Sequence, residues 1–284
     1  MRVVIVGASG QLGSDLMETF SDVEPVGLEH RTFDIEHPTA IAAMLLRYKP
    51  DVVINTAAFH NVELCETRPD RAFAVNALAV DQLAAQCASA NVALAHVSTD
   101  YVFDGELARP YLESDPARPL SAYGISKYAG ELLIARNTER AFIFRTSGLY
   151  GIRGSSVKGY TFIERMLTQA AEGKPLRVLD DVTFSPSYTR HVATAIRQVI
   201  ETGRYGTYHI TNAGSCTWYG FAREIFSQAN VTAELSPTTQ ASFPSLARRP
   251  QYSALAHEAL LGLGLSEMPD WRVGIREYLS ERRA

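Results

Sequence analysis

Two residues in the stretch YGISK, Tyr123 and Lys127, could do chemistry together in this chain of 284 residues. They stand four apart, and the continuation YAGELLIAR has helical patterning, so both lie on one face of a helix. A free phenol, with a pKa of about 10, is a weak acid at neutral pH, but a cation a few ångströms away favours its ionised form and lowers that value. Such a phenol can hand a proton to a carbonyl oxygen as negative charge develops there, which is what hydride reduction of a ketone requires. Pairs of this kind are also ordinary on helix surfaces, so the elements around them must decide.

Short, nearly continuous apolar runs recur through the first half: VVIV at 3–6, VVIN at 52–55, ALAHVS at 93–98 and FIFRTS at 142–147. Runs of this type belong to strands covered on both faces. Between them IAAMLLRYK and DQLAAQCASA have helical spacing. The alternation predicts an α/β domain over residues 1–150, a doubly wound parallel sheet of Rossmann type. A glycine- and serine-rich loop, GIRGSSVKG, and a helical FIERMLTQAAEGK follow Tyr150. SYTRHVATAIRQVIETG and GTYHITN, within 187–212, are expected to return to the edge of the first domain. Residues 151–186 and 213–284 then form a smaller, discontinuous substrate lobe, with WYGFAREIFSQA, a proline-bearing loop at 236–250 and a last helix near 270–283. Its expected place is over the carboxyl ends of the strands, where open α/β sheets bind ligands.

The first strand runs into GASGQLG, with Gly7, Gly10 and Gly13 at GxxGxxG spacing and Gln11 and Leu12 opening the next helix. Glycines there let backbone amides approach a pyrophosphate, and the helix offers its positive end to the same anion. A ligand-free turn also explains a glycine triplet. A dinucleotide fold places an acid about 20 residues further on to hold the adenosine ribose. Glu29 fills that position and favours NAD, whereas His30 and Arg31 suit a 2′-phosphate, so the cofactor is NADP or NAD. Asp34 and Ile35 would lie near the adenine. Asn55, Ala57 and Ala58 close the third strand beside the cofactor, followed by Phe59 and His60; for His60, backbone contact with the cofactor ranks ahead of proton transfer.

Composition excludes other classes. A formal charge of -4 and a pI near 6.0 argue against a sequence-blind nucleic-acid binder. The opening MRVVIVGASG shows no secretion signal and no apolar run is long enough to span a membrane. Cys65, Cys87 and Cys216 are widely spaced without a CxxC, and the seven histidines show no metal-type pairing, so no metal is expected. The expected setting is the reducing cytoplasm.

In this order, GASGQLG, INTAAFHNVELCE, VSTDYVFDG, YGISKYAGE, FRTSGLYG and ARRPQYS resemble the extended short-chain dehydrogenase/reductases. Within them the chain looks most like the dTDP-4-dehydrorhamnose reductase branch, which reduces a nucleotide-linked 4-keto-6-deoxy sugar, and the likeness runs nearly end to end. It implies a catalytic set of Thr99, Tyr123 and Lys127, the threonine orienting the keto oxygen and the lysine reaching the nicotinamide ribose. It also implies that Thr99, Asp100 and Tyr101 meet the sugar and that Arg249, beside Arg248, meets the diphosphate. Packing beneath the loop is an equal alternative for Tyr101, and pairing with a carboxylate between lobes is one for Arg249. Two departures leave the sugar open: Gly148 stands where many relatives have a tryptophan, and Arg190 and His191 stand where some have acids linked to magnesium and dimer contact. A homodimer is allowed, not implied. An epimerase or dehydratase, or a non-catalytic NAD(P)-binding subunit like that of methionine adenosyltransferase, are the alternative functions.

Overall fold

Val3 and Ile5 of the first strand, β1 (Val3–Val6), face one layer of helices, and Val4 and Val6 face the other. Every residue of VVIV is therefore buried, which is why the run is apolar throughout rather than alternating. The computed structural model describes residues 1–153, 161–243 and 245–282. Positions 154–159 of GIRGSSVKG and Pro244 of the 236–250 loop lie outside them.

Six strands form the central sheet: β1, β2 (Val26–Leu28), β3 (Val52–Asn55), β4 (Ala93–Thr99), β5 (Ala141–Thr146) and β6 (Gly206–His209). All pairings are parallel and the order is β2-β1-β3-β4-β5-β6. Helices α1 (Gln11–Thr19) and α5 (Thr189–Thr202) cover one face, where Leu16, Phe20, Ile196 and Val199 meet Ile5 and Phe144. Helices α2 (Pro38–Tyr48), α3 (Ala79–Ser89) and α4 (Ala122–Asn137) cover the other, where Ile41, Leu83 and Ile134 meet Val4, Val53 and Leu94. The chain leaves β1 toward β2 and returns on the opposite side as β3, so the carboxyl ends of β1 and β3 flank a switch point, the usual ligand crevice of such sheets.

β6 pairs with β5 at the sheet edge, and α5 lies against α1. Beyond the sheet, short ladders join Leu176–Leu179 to Leu235–Thr238, Thr183–Phe184 to Cys216–Thr217, and Leu149–Tyr150 to Ser187–Tyr188. Helices Phe162–Ala171, Trp218–Ala229 and Trp271–Glu281 pack on these ladders around Tyr150, Tyr188, Phe221, Trp271 and Tyr278. Large buried aromatics supply most of this second core, each removing an area from water worth about 1.5–3 kcal/mol. Among the described residues no helix is long and apolar enough to cross a membrane.

Candidate active site

The turn after β1 is built to approach an anion. Gly7 has a φ of +85°, and a Cβ on Gly13 would lie 2.1 Å from the Gly7 carbonyl oxygen, so neither position accepts a side chain. Gly10 precedes α1 with no side-chain cap, and the first turn, opened by Gln11 and Leu12, carries no acid. Its backbone N–H groups and the positive helix end therefore suit a pyrophosphate. Opposite, Thr56 Oγ1 donates to Val6 O at 2.9 Å and the Ala57 N–H donates to Asn55 Oδ1 at 3.0 Å. Asn76 clamps the loop from both sides: its Oδ1 accepts from Phe59 N at 2.8 Å and its Nδ2 donates to Phe59 O at 3.0 Å. His60 is exposed, with Nδ1 3.4 Å from Ala58 O. Past β2, Glu29, His30 and Arg31 are all exposed; Asp34 is half-buried and holds Glu36 N, and Ile35 is buried. These residues fit a dinucleotide: anion-binding amides at its middle, and an acid beside cations at its ribose end.

Helix α4 begins at Ser121, whose side chain accepts from Gly124 N at 3.2 Å. Tyr123, Lys127 and Glu131 recur every four residues and turn toward β4. The Tyr123 hydroxyl lies beside the Thr99 side chain at the end of β4, which favours its ionised form. Lys127 is 1% exposed; its Nζ donates to Val97 O at 2.7 Å and lies 3.0 Å from His96 Nε2. One turn on, buried Glu131 accepts from Arg145 at 2.7 Å and from Ser98.

The electrostatics differ from the expectation in one respect. Burial holds the Tyr123 phenol well above its ordinary value, with Thr99 opposing and Asp100 adding to the rise. Burial also pulls Lys127 down to about 8, with Glu131 opposing. Lys127 shares the face of Tyr123 but spends its hydrogen bonds on His96 and Val97, so desolvation outweighs its effect on the phenol. A neutral phenol still suits ketone reduction, because the nascent alkoxide is about as basic as hydroxide, the conjugate base of water with a pKa of about 15.7.

Asp100 was expected to meet the sugar, yet its carboxylate points inward. It accepts from Thr99 Oγ1 at 3.1 Å, Ser147 Oγ at 2.8 Å and Ser253 Oγ at 2.6 Å, and burial raises it to about 6. Tyr101 packs edge-on to Tyr123 with ring centres 5.9 Å apart, and burial raises its phenol to about 12. Arg249 donates to Glu63 at 2.8 Å, the pairing with a carboxylate that the sequence left open, and Arg248 beside it is exposed. Gly148 has a φ of +53°, and a Cβ there would meet the Phe184 ring at 2.4 Å. The aromatic surface behind it is Phe184 stacked on Trp218 at 3.9 Å. Arg190 pairs with Glu18 and Glu281, and His191 with Glu277. Among the described residues no group of three or more His, Cys, Asp or Glu could hold a metal ion.

Sequence reasoning passed over His96, Asn76, Ser147 and Ser253, and read Asn55 only as closing the third strand beside the cofactor. The signal for His96 is a ring inside the otherwise apolar ALAHVS. All 284 residues match one family, the RmlD substrate binding domain. The chain belongs to this family. It is 37% identical to the spore coat polysaccharide biosynthesis protein SpsK of Bacillus subtilis, over 99% of this chain and 98% of that one. It is 33% identical to the dTDP-4-dehydrorhamnose reductase of Burkholderia thailandensis, over 99% and 100%. Among solved structures, the dTDP-4-dehydrorhamnose reductase of Bacillus anthracis in complex with NADP superposes with a TM-score of 0.93 at 34% identity, over 99% of each chain.

Proposed function

We propose that this family member reduces the 4-keto group of a nucleotide-diphosphate 4-keto-6-deoxy sugar, dTDP-4-dehydrorhamnose to dTDP-rhamnose first among them, using NADPH or NADH. The observation that carries this reading is Tyr123, set beside Thr99 at the carboxyl end of β4 and one helical turn from buried Lys127. Bound along the glycine turn, the reduced nicotinamide supplies the hydride; the chain supplies position and the proton. Thr99 Oγ1, by turning its proton from Asp100 to the substrate, orients the keto oxygen, and the Tyr123 hydroxyl gives its proton there as charge develops. Lys127, held by Val97 and His96, provides the cation of the set.

Dehydration needs a free acid beside the threonine, and Asp100 is already held by three hydroxyls. Arg248 and Arg249 at the lobe edge are assigned to the diphosphate, as guanidinium groups suit phosphate oxygens. Cys65, Cys87 and Cys216 are free thiols, in keeping with work in the cytoplasm. A homodimer enters the proposal only as an association that leaves this machinery within one chain; light scattering gives the mass. The test of function is loss of reduced nicotinamide absorbance on adding 4-keto sugar nucleotides. Consumption that depends on such a sugar supports the reading, and none with any of them, alongside co-purification with a partner enzyme, favours the non-catalytic subunit.

A further inference from the structure

Beneath Lys127 runs a buried line of hydrogen bonds. β3 and β4 pair in register, with Val53 opposite Leu94 and Asn55 opposite His96. The period of two turns all four toward the α4 face. Asn55 and His96 are both fully buried. The Ala57 N–H donates to Asn55 Oδ1 at 3.0 Å, which fixes the amide so that Nδ2 faces His96 Nδ1 at 3.1 Å. An amide NH₂ only donates, so Nδ1 accepts, and a neutral ring assigned from its partners then carries its proton on Nε2. Lys127 Nζ, 3.0 Å from Nε2, would face that N–H with another donor if it were an ammonium. As an amine it accepts from His96 and still donates to Val97 O.

We propose that His96 is a positioning residue for Lys127, offering Nε2–H to its amine form, so that the lysine must break and reverse this hydrogen bond to take up a proton. The inference rests on the reductase reading above. Among the described residues, the charged or titratable groups about Lys127 are His96 from β4, Tyr123 one turn earlier on α4, and Glu131 one turn later, the last paired with Arg145 of β5. Desolvation pushes the His96 ring well below its ordinary value, which agrees with a neutral ring. Charged Lys127 stabilises the phenolate that Tyr123 leaves after proton transfer, whereas the amine does not. Reduction therefore falls as pH rises through the Lys127 titration, and His96 sets where that happens.

Side-chain nitrogen NMR of the full chain, labelled at histidine and lysine, tests this without turnover. The expected wild-type spectrum has one lysine titrating near 8 and one neutral histidine that carries its proton on Nε2 above that titration. In His96→Gln the amide can turn its carbonyl toward the ammonium. The lysine titration then moves up by about one pH unit, a tenfold gain in proton affinity, and the alkaline limb of kcat/KM moves with it. A wild-type proton on Nδ1 at pH 9, or a lysine charged through pH 9, overturns the proposal even if the variant fails to fold. Expected spectra with no sugar nucleotide reduced would instead sink the reductase reading and leave His96 in its role.

Discussion

Tyr123 is the residue on which turnover is expected to depend most. In Tyr123→Phe the ring and its edge contact with Tyr101 are kept and the proton is lost, so kcat is expected to fall at least about 100-fold with nicotinamide affinity nearly unchanged. Steady-state kinetics and a cofactor titration check both halves. Asp100 gives a pH-dependent signature. Folding raises this acid to about 6, so its contribution to stability is fullest below about pH 4 and is lost as pH climbs through about 6. Asp100→Asn has no such titration, and across that interval denaturation should show it gaining about 3 kcal/mol relative to the wild type. A constant difference would place the carboxylate in a different environment. The Tyr123 and Lys127 spacing was legible because i and i+4 positions meet on any helix. His96 and Asn55 were not, because they are 41 residues apart and meet only once β3 and β4 are in register. Asp100 was misplaced for a similar reason: its partners Ser147 and Ser253 lie 47 and 153 residues away.

At the level of elements, the strands were readable because burial on both faces leaves an unbroken apolar run. VVIV and VVIN coincide with β1 and β3, β4 runs one residue past its run, and β5 begins and ends one residue before its run. What periodicity does not carry is how closely elements approach. Gly13 is the sharpest case, since its missing side chain lets α1 sit on the Gly7 carbonyl. Gly13→Ala must push the helix start away from the turn, and cofactor affinity is expected to drop at least about tenfold, or by about 1.4 kcal/mol. Fluorescence titration of the reduced nicotinamide measures it, and unchanged affinity would remove the turn from the cofactor site. Past β2, Arg31→Ala should raise KM for NADPH more than for NADH if the guanidinium meets the 2′-phosphate. Equal effects would leave Glu29 in charge of the ribose.

Across the whole molecule, the sheet positions the chemistry and the aromatic-cored elements beyond it bring Ser253 and Arg249 to the same end. Ser253 reaches Asp100, and Arg249 reaches Glu63, so the far chain is tied to the carboxyl edge. Arg249→Ala is expected to raise substrate KM with kcat little changed if its contact is equal in ground and transition states. An unchanged KM would leave the arginine to the Glu63 pair alone. The claim on which most depends is that one phenol at the end of β4 delivers the proton to a sugar ketone. The most direct test mixes reduced nicotinamide and dTDP-4-dehydrorhamnose with wild type and Tyr123→Phe in single turnover. Rapid oxidation in the wild type, slowed at least about 100-fold in the variant, is expected; equal rates in the two proteins would contradict it.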